Sequence, residues 1–132
     1  MLLRGNMSPS LEDYLEAVLD LKSGDFGGVR TTDIASRLGV SKASVNQAMA
    51  SLAERGLIQQ ERYGPVMLTE PGLRYAKTVR NRHSTIRRFL IFTLGVSEST
   101  AEADACKIEH VLSQETMDAL VEFVEGRRNS DG

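Results

Sequence analysis

Leu11, Tyr14, Leu15, Val18 and Leu19 recur at the three- and four-residue steps of an amphipathic helix. Ser8 is the expected N-cap and Pro9 the first helical position. Asp13, Glu16 and Asp20 fall on the opposite side, and the glycine-rich "SGDFGG" at 23–28 ends the element. The run "TTDIASRLGVSKASVNQAMASLAERGLI" holds two shorter apolar stripes. Ile34, Ala35, Leu38, Val40, Val45, Met49 and Leu52 make one apolar set across two helices. Thr31 or Thr32 is expected to cap the first, Gly39 to make the turn, Ser41 to cap the second with Ser44 three residues on, and Gly56 to stop it. Two short helices around a tight turn predict a helix-turn-helix.

"LIQQERYGPVMLT" at 57–69 reads as two short strands around Tyr63-Gly64-Pro65, which adds a wing to that motif. Thr69 and Pro71 open a helix of about twenty residues. Its inward seam is Ala76, Val79, His83, Ile86 and Leu90. "TLGVS" at 93–97 breaks it. Ser97 caps a helix carrying Ala101, Ala105, Ile108 and Leu112; Ser113 begins a last one with Met117, Leu120, Val121 and Val124, which Gly126 is expected to end before a frayed "RRNSDG". The fold class is mainly α: an N-terminal winged helix-turn-helix, residues 1–75, and a C-terminal helical domain, residues 76–132.

Length agrees with that plan, since 132 residues at 41% hydrophobic suit one compact domain or two small ones. No apolar run approaches the roughly 18–20 residues of a membrane span, and "MLLRGNMSPS" lacks the apolar stretch of a signal peptide. The single cysteine forms no internal disulfide, and a cytoplasmic location is expected.

Charge changes the picture more. The net charge of −2 conceals a basic centre. Arg37, Lys42, Arg55, Arg62, Arg74, Lys77, Arg80, Arg82, Arg87 and Arg88 share their span with only Glu54, Glu61 and Glu70. That excess coincides with the helix-turn-helix and marks a polyanion-binding region. The second helix of such a motif lies in the major groove of DNA. Its expected contacts are Ser41, Lys42, Ser44, Asn46 and Gln47, with Thr32 on the preceding helix and Arg62 and Tyr63 in the wing. Asn and Gln pair with adenine, Lys reaches guanine, and a helix N-terminus suits a phosphate.

A second constellation lies in "DACKIEHVLS", 104–113. One helix would put Cys106, Glu109 and His110 on one face. His83 lies on the long helix's seam, and Asp13 and Glu16 share a face of the first helix. Thiolate, imidazole and carboxylate form a set of intermediate softness, suited to Fe²⁺, Co²⁺, Ni²⁺ or Zn²⁺; the extra carboxylates admit Mn²⁺. Each residue also has a structural reading: Cys106 and His83 as core, Asp13 and Glu16 as a solvated helix back, Glu102 as surface. The trio weighs against those readings, because burying it unpaired would cost several kcal/mol, on the order of 2–7 per group.

"SLEDYLEAVLDL", "IASRLGVSKASVNQAMASLAERGLI", "LTEPGLRYA", the "RH" at 82–83 and "ACKIEHVLSQE" together resemble the diphtheria toxin repressor family of metal-dependent repressors, from about Ser8 to Phe123. The resemblance implies a winged helix, a helical dimerisation domain, and a homodimer that grips a palindromic operator when a divalent metal binds. Asp13 and Glu16 match the manganese-type pair, whereas the iron type has Met at the place of Asp13. Cys106 matches the iron type, where the manganese type has Glu. Glu109, His110 and His83 match ligands of the family. Glu102 stands where the iron branch has an ancillary histidine, and Arg87 where it has an ancillary glutamate. Arg87 cannot bind metal, so an ancillary site would have to be remodelled, with Glu102 as a further candidate ligand. The chain is a hybrid, with Fe²⁺ favoured, Mn²⁺ next, and Co²⁺, Ni²⁺ or Zn²⁺ as substitutes. The SH3-like third domain of the iron branch is expected to be absent.

Two competing readings stay open. Cys106 could act as a nucleophile with His110 or His83 as base, but no glycine-rich oxyanion turn precedes it, and an enzyme is not expected. A metal-independent winged-helix regulator, its ligands turned structural or holding a structural zinc, is the other. Leu112, Met117, Leu120, Val121, Val124, Phe89 and Phe92 offer the expected dimer surface.

Overall fold

A computed structural model describes residues 9–24 and 27–131. The chain divides into two compact units after Thr78.

The first unit opens with α1, Leu11–Leu21. The cap expected at Ser8 lies outside the described residues; the helix starts at a capping box on Ser10. The Ser10 hydroxyl accepts the Asp13 N–H at 3.1 Å, and the Asp13 carboxylate accepts the Ser10 N–H at 2.9 Å. This arrangement satisfies two otherwise orphaned donors and leaves Pro9 ahead of the helix. α2 spans Thr31–Leu38 and α3 Lys42–Glu54. Neither Thr31 nor Thr32 caps α2. The N-cap is Arg30, which makes no side-chain cap bond, and both threonines lie inside the helix. Gly39 takes φ 65°, the left-handed turn between the helices, where a side chain would be strained. Ser41 caps α3 by accepting the Ser44 N–H at 3.1 Å.

The wing pairs β1, Ile58–Gln60, with β2, Val66–Leu68, antiparallel, Ile58 opposite Leu68 and Gln60 opposite Val66. Val29 adds one bridge to Val66, with N–H···O bonds of 2.8 Å in both directions. Leu15, Val18, Ile34, Val45, Met49, Leu52, Ile58 and Val66 form the core. Gly72, in the first turn of α4 (Glu70–Arg88), lies so close to the Leu57 carbonyl that a Cβ would stand 1.8 Å from its oxygen. The hairpin and α4 therefore meet backbone to backbone.

The second unit holds the later part of α4, a π-helical turn at Phe89–Thr93, α5 (Glu98–Ile108) and α6 (Gln114–Asp131). Gly95, φ 74°, follows the π turn, and Ser97 caps α5. Leu112 lies beyond α5 rather than on it. Ser113 accepts the Thr116 N–H at 3.1 Å and starts α6. α6 does not stop at Gly126 but runs to Asp131, because one helical glycine costs only about 1 kcal/mol. Ile86, Leu90, Ala101, Ala105 and Met117 form this unit's core. Phe89 and Phe123 meet edge to face at 5.9 Å, while Phe92, Leu94 and Val111 remain exposed.

Candidate metal centre and nucleic-acid interface

α3 separates its residues by chemistry. Val45, Ala48, Met49 and Leu52 point into the core. Ser41, Lys42, Asn46 and Gln47 are exposed, as is Thr32 in the first turn of α2. Ser44 is half-buried and its hydroxyl meets that of Ser41 at 3.0 Å, so part of its hydrogen-bonding capacity goes into the cap. Asn46 and the wing residues Arg62 and Tyr63 line one groove between α3 and the hairpin. Tyr63 is 94% exposed at φ 61°, and the Arg62 guanidinium lies 5.3 Å from its ring centre. A bulky residue held in the left-handed region at a wing tip is uncommon, and it presents an aromatic–cation pair to solvent.

Asp13, expected on the polar back of α1, is buried. Its capping box accounts for one oxygen. Burial, and after it the charge of Asp13, push the neighbouring Tyr14 phenol up. Glu16 is half-buried, and Asp20 pairs with Arg37 at 3.2 Å.

In the second unit Cys106, Glu109 and His110 straddle the end of a helix. α5 ends at Ile108, so Glu109 is its C-cap and His110 lies in the following turn. His83 of α4 joins the group. Its Nε2 lies 2.9 Å from a Glu102 oxygen, and its Nδ1 lies 3.4 Å from Glu109 Oε2. The candidate ligand atoms of His83, Glu102 and Cys106 all lie within 4.8 Å of one another. The other Glu109 oxygen is 3.2 Å from His110 Nε2. Arg87 reaches Glu102 at 3.2 Å.

Two atoms in this cluster carry the chemical argument. His83 Nδ1 and Glu109 Oε2 are buried, face each other, and make no hydrogen bond. Buried polar atoms are nearly always bonded, whereas these two meet only as a 3.4 Å ion pair short of a hydrogen bond, and a bound cation could draw on both. The surrounding imidazole, thiol and carboxylate fit a divalent transition metal. Without an ion, the thiol of Cys106, then Glu109 and Glu102, push His83 up to about 11, against burial. Burial alone would raise Glu109; His110 and His83 outweigh it and hold its carboxyl below the usual range.

Sequence reasoning missed the His83–Glu102–Arg87 chain. The spacing of Glu102 and Cys106, one helical turn apart, was a signal for it, as was the same spacing of His83 and Arg87.

Comparison with known proteins gives a consistent result. Residues 6–66 match the family model for the N-terminal DNA-binding domain of iron-dependent repressors, and residues 69–130 the model for their metal-binding and dimerisation domain. The chain is 37% identical over 119 residues to an uncharacterised helix-turn-helix transcriptional regulator of Methanocaldococcus jannaschii, covering 90% of this chain and 95% of that one. It is 40% identical over 115 residues to the transcriptional regulator MntR of Salmonella typhimurium, covering 87% and 72%. Among solved structures, a manganese-dependent transcriptional repressor in complex with manganese aligns with TM-score 0.75 at 30% identity, covering 88% of this chain and 53% of that one. The manganese regulator SloR aligns at 0.76 and 25%, covering 90% and 55%. The chain thus spans about half the length of these solved proteins. No helix among the described residues is long and apolar enough to cross a membrane.

Proposed function

We propose a specific mode of action for this chain, which belongs to the diphtheria toxin repressor family of metal-dependent transcriptional repressors: it is a cytoplasmic homodimer that binds a palindromic operator when it holds a divalent metal. The observation that carries the reading is the buried, unbonded pair His83 Nδ1 and Glu109 Oε2 beside Cys106.

The residues that would hold the metal are His83, Cys106, Glu109 and His110, with Asp13 and Glu16 from α1. The last two rest on their match to the manganese-type pair. A bound divalent cation supplies the positive charge that lets these acidic groups share one coordination sphere. Without that charge, carboxylates brought together repel one another, and each buried one is costly. DNA affinity then depends on how strongly the bound state favours one spacing of the recognition helices, a coupling of typically ~1–3 kcal/mol.

Lys42, Asn46 and Gln47 of α3 read base edges, while Ser41 and Ser44 at its N-terminus and Thr32 on α2 take phosphates. Arg62 and Tyr63 in the wing contact the backbone or minor groove. Two α3 helices about one DNA turn apart read a two-fold site. The exposed Phe92, Leu94 and Val111 supply apolar area for a partner protomer. Fe²⁺ is the favoured metal because of the Cys106 thiolate, and Mn²⁺ is next because of Asp13 and Glu16.

The reading is tested by titrating Mn²⁺, and Fe²⁺ under anoxia, into metal-free protein by calorimetry. Saturable binding to the wild type that Glu109→Gln abolishes is expected. Absence of heat and of retained metal would instead favour a metal-independent regulator.

A further inference from the structure

Glu102 sits where it could ligate a metal, yet both of its oxygens are occupied. Oε1 is 2.9 Å from His83 Nε2, and Oε2 is 3.2 Å from Arg87 Nε. A guanidinium keeps its charge at every physiological pH. It therefore keeps a positive charge beside Glu102, and a dication drawn to that carboxylate would have to sit against it. On the far side of the imidazole the situation is the reverse. Nδ1 is buried, has no hydrogen bond, and faces the unbonded Oε2 of Glu109 at 3.4 Å. The Cys106 sulfur lies within 4.8 Å of the Glu102 and His83 ligand atoms and so does not itself choose between the two ring nitrogens.

We infer that Glu102, anchored by Arg87, is a positioning residue rather than a metal ligand: it accepts the Nε2–H of His83 and so presents Nδ1 to the metal. A histidine ligand commonly donates its second ring N–H to a carboxylate, which fixes the tautomer and ring orientation. Here Arg87 holds that carboxylate in place from one turn further along α4. The second Glu102 oxygen is thus partnered by the chain's own guanidinium.

This inference rests on the metal-binding reading above, and the test separates the two. The full chain is loaded with Zn²⁺, a diamagnetic probe, and the ring nitrogens are followed by ¹⁵N–¹H correlation. The chain has two histidines, so assignment is simple. The expected spectrum has a protonated Nε2 and a zinc-shifted Nδ1 at His83. Glu102→Gln should then weaken Zn²⁺ binding by roughly 10- to 100-fold with the number of ions per subunit unchanged, and Arg87→Gln should weaken it less. A zinc-shifted Nε2, or loss of an ion per subunit in Glu102→Gln, would overturn the positioning role and leave the metal site standing. No Zn²⁺ uptake by the wild type would remove both.

Discussion

The two units solve opposite problems. The first buries an apolar core of Leu15, Ile34, Val45, Met49 and Leu52 and keeps its polar groups on α3 and the wing, outside. The second places an imidazole, a carboxylate and a thiol among packed helices and leaves two of their atoms unbonded. The first gains its order from hydrophobic burial and caps. The second carries buried polar groups held by one another's charge, an arrangement that a bound cation would change. DNA reading needs a rigid surface, whereas sensing needs a cluster whose energy changes with a ligand.

The contrast can be broken at several points. The largest effect should come from Leu52→Ala in the first core, which costs about 2–5 kcal/mol. Thermal unfolding should show that loss equally with chelator and with Mn²⁺. The next belongs to the second unit. Mn²⁺ at a hundred times its Kd should stabilise the wild type by ~2.7 kcal/mol, and Glu109→Gln should lose most of this while unfolding normally in chelator. If Mn²⁺ raised the Tm of both proteins equally, the polar cluster would not be the sensor. Cys106→Ser should sharpen the choice of metal, weakening Fe²⁺ by about tenfold, or ~1.4 kcal/mol, and Mn²⁺ by less; anoxic competition titration measures the ratio. The smallest effect should be Ser41→Ala, which removes the α3 cap for ~1 kcal/mol and lowers DNA affinity without altering metal affinity.

The first unit was largely legible in the sequence, since apolar period, Gly39, Ser41 and the Tyr63-Gly64-Pro65 turn are local signals. Its helix starts were less so. A threonine pair ahead of an apolar stripe looks like a cap, but Thr31 and Thr32 lie inside α2, and the Ser10–Asp13 box lies two residues past Ser8. The bridge of Val29 to Val66 is one residue long and has no alternation to read. In the second unit the residue types of the cluster were visible and its geometry was not. Helical spacing grouped Cys106, Glu109 and His110, but it could not show that α5 ends at Ile108 or that His83 comes within 3.4 Å of Glu109. Helix termini and contacts between elements depend on tertiary packing, which spacing along one helix does not encode. The π turn at Phe89–Thr93 falls under the same limit, and such turns often occur near functional sites.

Metal occupancy is expected to set DNA affinity. Duplexes enriched from a random pool by the Mn²⁺-loaded protein should be titrated by fluorescence anisotropy with Mn²⁺, with anoxic Fe²⁺, and with chelator. Affinity should be higher by roughly 5- to 150-fold with metal than without. Equal affinity in metal and in chelator would show that DNA binding does not depend on metal.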